Sequence, residues 1–180
     1  MNKNWTVKMV VEAGLAIALA FVLGNIKIFT MPQGGSITAG QMIPLVIFAL
    51  RYGLVKGLLL GAVYGLVDMM IGGYVIHPAQ GLLDYPLAFA ALGLAGIFSR
   101  EFMKSGSIKP VFVGTFIGVL VRFVCHVLTG VIFFASYAGE QNVWIYSAIY
   151  NGSFLLVEFL ITAIIIYLLR NVLANRLTKI

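Results

Sequence analysis

One cysteine, two histidines and only 18 charged residues are present among 180, and each shortage excludes a class of protein. Cys125 has nothing to pair with inside the chain, so a disulfide-stapled secreted domain is out. Two histidines and one cysteine leave no cluster from which a metal site of nitrogen and sulfur ligands could be built. No G-x-x-x-x-G-K-[ST], H-E-x-x-H or G-x-S-x-G segment occurs, so the chain has no phosphate-binding loop with which to spend ATP and no recognisable hydrolase motif. No block of five or six basic residues accompanies the net charge of +6, and nucleic acid is therefore not the expected partner.

What is abundant is apolar. Hydrophobic residues make up 61% and charged residues 10%, with a mean hydropathy of +1.03; soluble chains run near about 45–50% and 25%. A bilayer is the solvent that fits. Apolar stretches run over 9–29, 39–50, 54–72, 81–98, 110–136 and 144–169, which predicts an all-α membrane protein of six transmembrane helices forming one domain over residues 1–180. The second stretch is the weakest, because Gln41 and Pro44 interrupt it and Arg51 closes it, so it is expected to be short and irregular.

The basic residues fix the orientation. Lys3, Lys8, Arg51, Lys56, Arg100, Lys104, Lys109, Arg170, Arg176 and Lys179 fall on one side and only Lys27 on the other, which places both termini in the cytoplasm. Trp5 and Trp144 are expected at opposite interfaces. Ala18-Leu19-Ala20 resembles a signal-peptidase site, but Glu12 would break the apolar core of a leader, so the first stretch is read as a retained helix.

Small residues mark packing faces. Gly53, Gly57, Gly61 and Gly65 recur every fourth residue on the third span, and Gly114 with Gly118 on the fifth, as expected of close internal helix contacts. The first span carries two overlapping stripes, Gly14 with Ala18 and Ala16 with Ala20, more than one neighbour needs, so one is expected to face another protein.

Ionisable groups inside the hydrocarbon need a reason to be there. Asp68 and Asp84 fall toward the outer side, Arg122 and Glu158 near mid-depth, and Glu12 near the inner face. Tyr64, Tyr74, His77, Gln80, Tyr85, His126, Phe133, Phe134, Tyr137, Tyr146, Tyr150 and Asn151 collect in the outer halves and outer loops. Arg122, His126, Thr129 and Phe133 share a helical face, as do Tyr146, Tyr150 and Ser153. The pattern predicts a polar, aromatic cup open to the outside above an apolar plug. Carboxylates among ring faces favour a flat ligand carrying positive charge. The alternatives are an ion pair of Arg122 with Glu158 or Asp84 kept for stability alone, an interfacial tyrosine belt, an intramembrane enzyme using Asp68 and Asp84, and a bundle that binds no small molecule.

The segments Met31-Pro32-Gln33-Gly34-Gly35-Ser36-Ile37-Thr38 before Met42-Ile43-Pro44, Leu50-Arg51-Tyr52-Gly53, Leu83-Asp84-Tyr85-Pro86, Arg122-Phe123 with His126, and Tyr146-Ser147 with Asn151-Gly152 occur in this order along nearly the whole chain. In this combination the sequence resembles the thiamine-specific substrate-binding S components of energy-coupling factor (ECF) vitamin importers of the bacterial cell membrane. The resemblance implies a six-helix S-component bundle with no enzymatic activity and no cofactor, and a high-affinity thiamine site near the outer surface, roofed by the first outer loop and walled by helices four to six. It implies that Asp84 binds the aminopyrimidine with Asn151 and Tyr146 assisting, that His126 and nearby aromatics hold the rings, and that Tyr85 and Tyr74 are secondary contacts. Phe134 and Tyr64 stand where some members have tryptophan, and Asp84 where some have glutamate; Arg122 belongs to the same group. Some members carry a tryptophan and a glutamate in the first outer loop, where this chain has Gly35 to Ala39, which points to a role in backbone and lid geometry. The resemblance further implies that Gly14, Ala18 and Ala20 meet a transmembrane coupling subunit joined to two cytoplasmic ATPases. An S component for another vitamin or a thiamine precursor is the nearest alternative.

Overall fold

The computed structural model describes residues 4–105 and 107–177. Thr6 caps the first helix, α1 (Val7–Asn25), by accepting from the Met9 N–H. The helix stops short of the end of its apolar stretch. Residues beyond Asn25 form a hairpin instead, β1 (Lys27–Thr30) paired antiparallel with β2 (Ser36–Thr38) in the register Lys27 to Thr38, Phe29 to Ile37 and Thr30 to Ser36. Isoleucine, phenylalanine and threonine in this run suit a strand better than a helix, and Gly34 at φ +95° makes the turn that no residue with a Cβ makes easily.

Helix α2 (Met42–Tyr52) has 11 residues, about 16 Å of rise, too short to cross a hydrocarbon core of about 30 Å. It packs against α1 and against the helices that contain residues 54–72, 92–105 and 143–177, and nine of its residues are buried. It is the core of the bundle, which explains why it reads as apolar all round. Gly53, at φ +89°, turns the chain directly into α3 (Leu54–Gly72). The remaining spans are α4 (Pro78–Ser105), α5 (Ile108–Phe133) and α6 (Val143–Leu177), the last apolar enough to cross a membrane over Val143–Leu169. Among the described residues five helices are thus long and apolar enough to span a bilayer and α2 is the short sixth, as the interrupted second stretch leads one to expect.

Helix α4 lies between α3 and α5, and glycines set both contacts. A Cβ on Gly57, Gly61 or Gly65 would strike Gly93, the Phe89 carbonyl or the Tyr85 carbonyl of α4, while one on Gly96 would strike Gly53 and Leu54. On its other side α4 takes Gly114 against Ala95 and Gly118 against Ala91 and Leu92. The four-residue stripes are therefore internal seams. Close approach has a local effect as well: over Leu92–Phe98 the helix tightens to 3-10 geometry.

The lipid-facing surface is apolar, with Val55, Leu59, Val63 and Met70 of α3 and Leu156, Leu160, Ile164 and Leu168 of α6 all exposed. On α1, Gly14 and Ala18 lie on the exposed side, where nothing stands within 4 Å of a Cβ placed on Gly14. Ala20 corrects the expected stripe. It is fully buried, and its carbonyl accepts from Tyr64 at 3.5 Å, because two residues of helix rotate it to the opposite face from Ala18. Near the inner ends, Glu12 pairs with Arg51 at 3.0 Å and accepts from the Tyr52 hydroxyl at 2.6 Å, which accounts for an acid in the first span.

Candidate ligand cavity in the outer half

Pro86 creates the central wall of the site. Without an N–H, and with its ring crowding the Leu82 carbonyl, it cannot continue a regular α-helix, and α4 widens into a π turn over Leu83–Leu87. A widened turn rotates the residues it contains relative to their neighbours. Here it carries Asp84 and Tyr85 into a cavity of about 340 Å³ bounded by the hairpin loop, α1, and α3 to α6.

Asp84 is held from two sides. Its Oδ2 accepts from Gln80 Nε2 at 2.8 Å, and its Oδ1 lies 2.8 Å from His126 Nδ1. Arg122 Nε donates to His126 Nε2 at 3.3 Å. Because Nε2 accepts that bond, the neutral ring keeps its proton on Nδ1 and donates it to Asp84. The Arg122 guanidinium lies 4.1 Å from the centre of the Phe89 ring. The ion pair of Arg122 with Glu158 or Asp84 weighed from the sequence is not among those found in the described residues, and a histidine stands between Arg122 and Asp84 instead. Gln80, 1% exposed, also ties down the outer loop, accepting from the Ile76 N–H at 3.0 Å and donating to the Tyr74 carbonyl at 3.1 Å.

Helix α6 supplies the facing wall. Asn151 spends its Nδ2 on the carbonyls of Ser147 and His126, at 2.9 and 3.3 Å, so what it can offer a ligand is an acceptor oxygen. Tyr150 accepts from the Gly35 N–H at 3.1 Å, and Glu158 Oε1 from the Thr38 N–H. The hairpin thus roofs the site through its backbone, as the small residues between Gly35 and Ala39 suggest. Rings line the upper part: Phe134 stacks between Tyr74, at 6.3 Å, and Tyr137, at 5.7 Å, and Tyr146 on Tyr150 at 6.1 Å.

Of the nine expected contact residues, the cavity brings together Asp84, Tyr85, His126, Phe134, Tyr146, Asn151, Tyr74 and Arg122. Tyr64 is the correction. It is 0% exposed, its hydroxyl takes a bond from Gln41, and its ring packs edge-on against Phe89 at 4.7 Å, so it supports the wall from behind. Phe133 likewise leaves the face it was expected to share with Arg122 and His126, and stacks on His77 at 5.2 Å. The helix ends there, so Phe134 enters the cavity where helical periodicity no longer applies. On α6 the lining residues are Tyr146, Ser147, Tyr150, Asn151, Phe154 and Glu158, whereas Ser153 is exposed. Gln41, Phe89 and Phe154 were not singled out as contacts, since nothing distinguishes them in sequence from packing residues.

The lining charges are Asp68, Asp84 and Glu158 against Lys27 and Arg122. With His126 neutral, the lining carries one more negative charge than positive. A flat, singly cationic ligand with an amino group to donate would meet acceptors at Asp84 and Asn151, ring faces above them, and a field of the right sign.

Comparison with known proteins points to such a ligand. The family model "Thiamine transporter protein (Thia_YuaJ)" matches residues 10–178. Thiamine transporter ThiT of Bacillus subtilis (strain 168) is 37% identical over 180 residues, covering 94% of this chain and 93% of its own. The protein of the same name from Lacticaseibacillus paracasei is 33% identical over 184 residues, covering 96% and 91%. A solved structure of ThiT from Listeria monocytogenes superposes with a TM-score of 0.80 at 27% identity, over 92% of this chain and 94% of that one. Thiamine is a cationic thiazolium joined to an aminopyrimidine, and with this agreement along its whole length the chain belongs to the thiamine transporter family of multi-pass bacterial membrane proteins.

Proposed function

We propose that this chain is the cargo-binding subunit of an ECF importer. It captures unphosphorylated thiamine with high affinity from the outer side and relies on a transmembrane coupling subunit and two cytoplasmic ATPases for the energy of uptake. The observation that carries this reading is the Asp84–His126–Arg122 relay, set beneath stacked aromatic rings in a cavity whose lining carries one more negative charge than positive. In the bound state Asp84 and Asn151 accept from the aminopyrimidine, His126 and the rings of Phe134, Tyr146 and Tyr74 flank the two heterocycles, and Tyr85 borders the site from the π turn. Arg122 acts through His126, fixing its tautomer. The scarcity of cations around the cavity supports the free vitamin over its phosphates. The exposed Gly14 and Ala18 face of α1 offers the coupling subunit a surface with no side chains in the way. The absence of a phosphate-binding loop fits a division of labour in which hydrolysis happens in the partners.

Calorimetry on the detergent-solubilised chain tests the capture step. Thiamine is expected to give a saturable heat at one site per chain with submicromolar affinity, thiamine diphosphate a weaker one, and riboflavin none. Equal heats from thiamine and riboflavin, or no heat from thiamine, would refute the reading.

A further inference from the structure

A carboxylate buried at membrane depth has to be balanced by something, and among the described residues no cation stands in ion-pair contact with Glu158. It is 3% exposed and lines the cavity two turns below Asn151 on α6. One oxygen accepts the Thr38 N–H, and the other, Oε2, has no hydrogen-bond partner. The ion pairs found among the described residues are Glu12 with Arg51 and Asp84 with His126, neither of which involves Glu158.

Helix pairing explains why Arg122 does not serve. Phe116 of α5 packs on Phe159 of α6, and Gly152 faces Phe123, so Glu158 stands level with residue 117 of α5. That is five residues below Arg122, about 7 to 8 Å at the helical rise. Arg122 is committed higher up, to His126 and the Phe89 ring. The other lining acids are provided for: both Asp84 oxygens are bonded, and Asp68 is only partly buried.

We propose that Glu158 is the counter-charge of the cargo. Resting on the thiamine-capture reading above, the inference is that the permanent positive charge of the thiazolium supplies the cation Glu158 lacks, while Glu158 holds the roof strand through Thr38. Asp84 recognises the amino end of the ligand; Glu158 selects for its charge. The carboxylate is a specificity-determining residue acting at short range from below the ring.

The test compares thiamine with its neutral deaza isostere, in which carbon replaces the quaternary ring nitrogen, by calorimetry on the whole chain in detergent. Glu158→Gln keeps the shape and an acceptor for the Thr38 N–H but removes the charge. Wild type is expected to prefer thiamine over the isostere by about thirtyfold or more. In Glu158→Gln, thiamine affinity falls by at least about tenfold while isostere affinity stays within about twofold, and the preference collapses. Loss of both ligands together would make Glu158 a structural prop only, and loss of neither would show its charge to be irrelevant; each overturns the proposal. Glu158→Met, neutral and of similar length, gives the same ratio of affinities if the glutamine variant does not fold. A wild type that binds no thiamine would sink the capture reading as well, whereas normal wild-type binding with an unchanged Glu158→Gln ratio sinks only the counter-charge.

Discussion

Asp84→Ala is expected to abolish thiamine binding, with an affinity at least about a hundredfold weaker by calorimetry. Two losses combine. The ligand loses an acceptor in a site shielded from water, and His126 Nδ1 loses Oδ1 while Gln80 Nε2 loses Oδ2, each a partner at 2.8 Å. Removing one partner of a buried, hydrogen-bonded charged group costs about 3 to 5 kcal/mol, and each 1.4 kcal/mol is about tenfold in affinity. Asp84→Asn keeps one acceptor oxygen, and an intermediate loss is expected. An Asp84→Ala variant that binds within about twofold of wild type would remove Asp84 from the site.

Gly61→Leu is expected to have the largest effect on the fold. Its Cβ would fall on the Phe89 carbonyl and the Ala90 backbone, so no rotamer relieves the overlap and α4 must move away from α3. Overpacking costs about 1 to 3 kcal/mol even where side chains can yield; with backbone on both sides the upper end applies, corresponding to a fall of about 10 °C in apparent Tm. Gly14→Leu is the matched control, since a Cβ at Gly14 meets nothing within 4 Å. It should melt and bind thiamine as wild type does, yet fail in uptake by cells carrying the coupling subunit and its ATPases. A Gly61→Leu chain as stable as Gly14→Leu would show that α3 and α4 are not seated on this seam.

The membrane class, the six apolar helices and most of the cavity lining were legible because they depend on composition and helical spacing. Six apolar stretches, a one-sided distribution of basic residues and polar groups at one level survive any small error in helix ends. The errors lie where regular geometry stops. Strand β1, up to Phe29, was read as the end of the first helix because Ile28 and Phe29 continue its apolar run. Phe133 leaves the face of Arg122 and His126 because α5 ends there, while Phe134 stands in the cavity as expected. Ala20 was placed on the α1 exterior and Tyr64 at the ligand because small or aromatic character does not reveal which way a residue points in a crowded bundle. The π turn had a visible signal, Pro86 two residues after Asp84, but its consequence for where Asp84 points needs the three-dimensional path of α4.

The two walls of the cavity are also mechanically unequal. Helix α6 runs unbroken for 35 residues, so Ser147, Asn151 and Glu158 ride on a stiff rod. Across from it, α4 changes winding at Leu83–Leu87 and again at Leu92–Phe98, giving a jointed beam whose amide network is interrupted just beside Asp84. Of these two walls, α4 is expected to yield first. Deuterium uptake should be faster across 83–98 than across 147–165, and the gap should narrow once the vitamin is aboard.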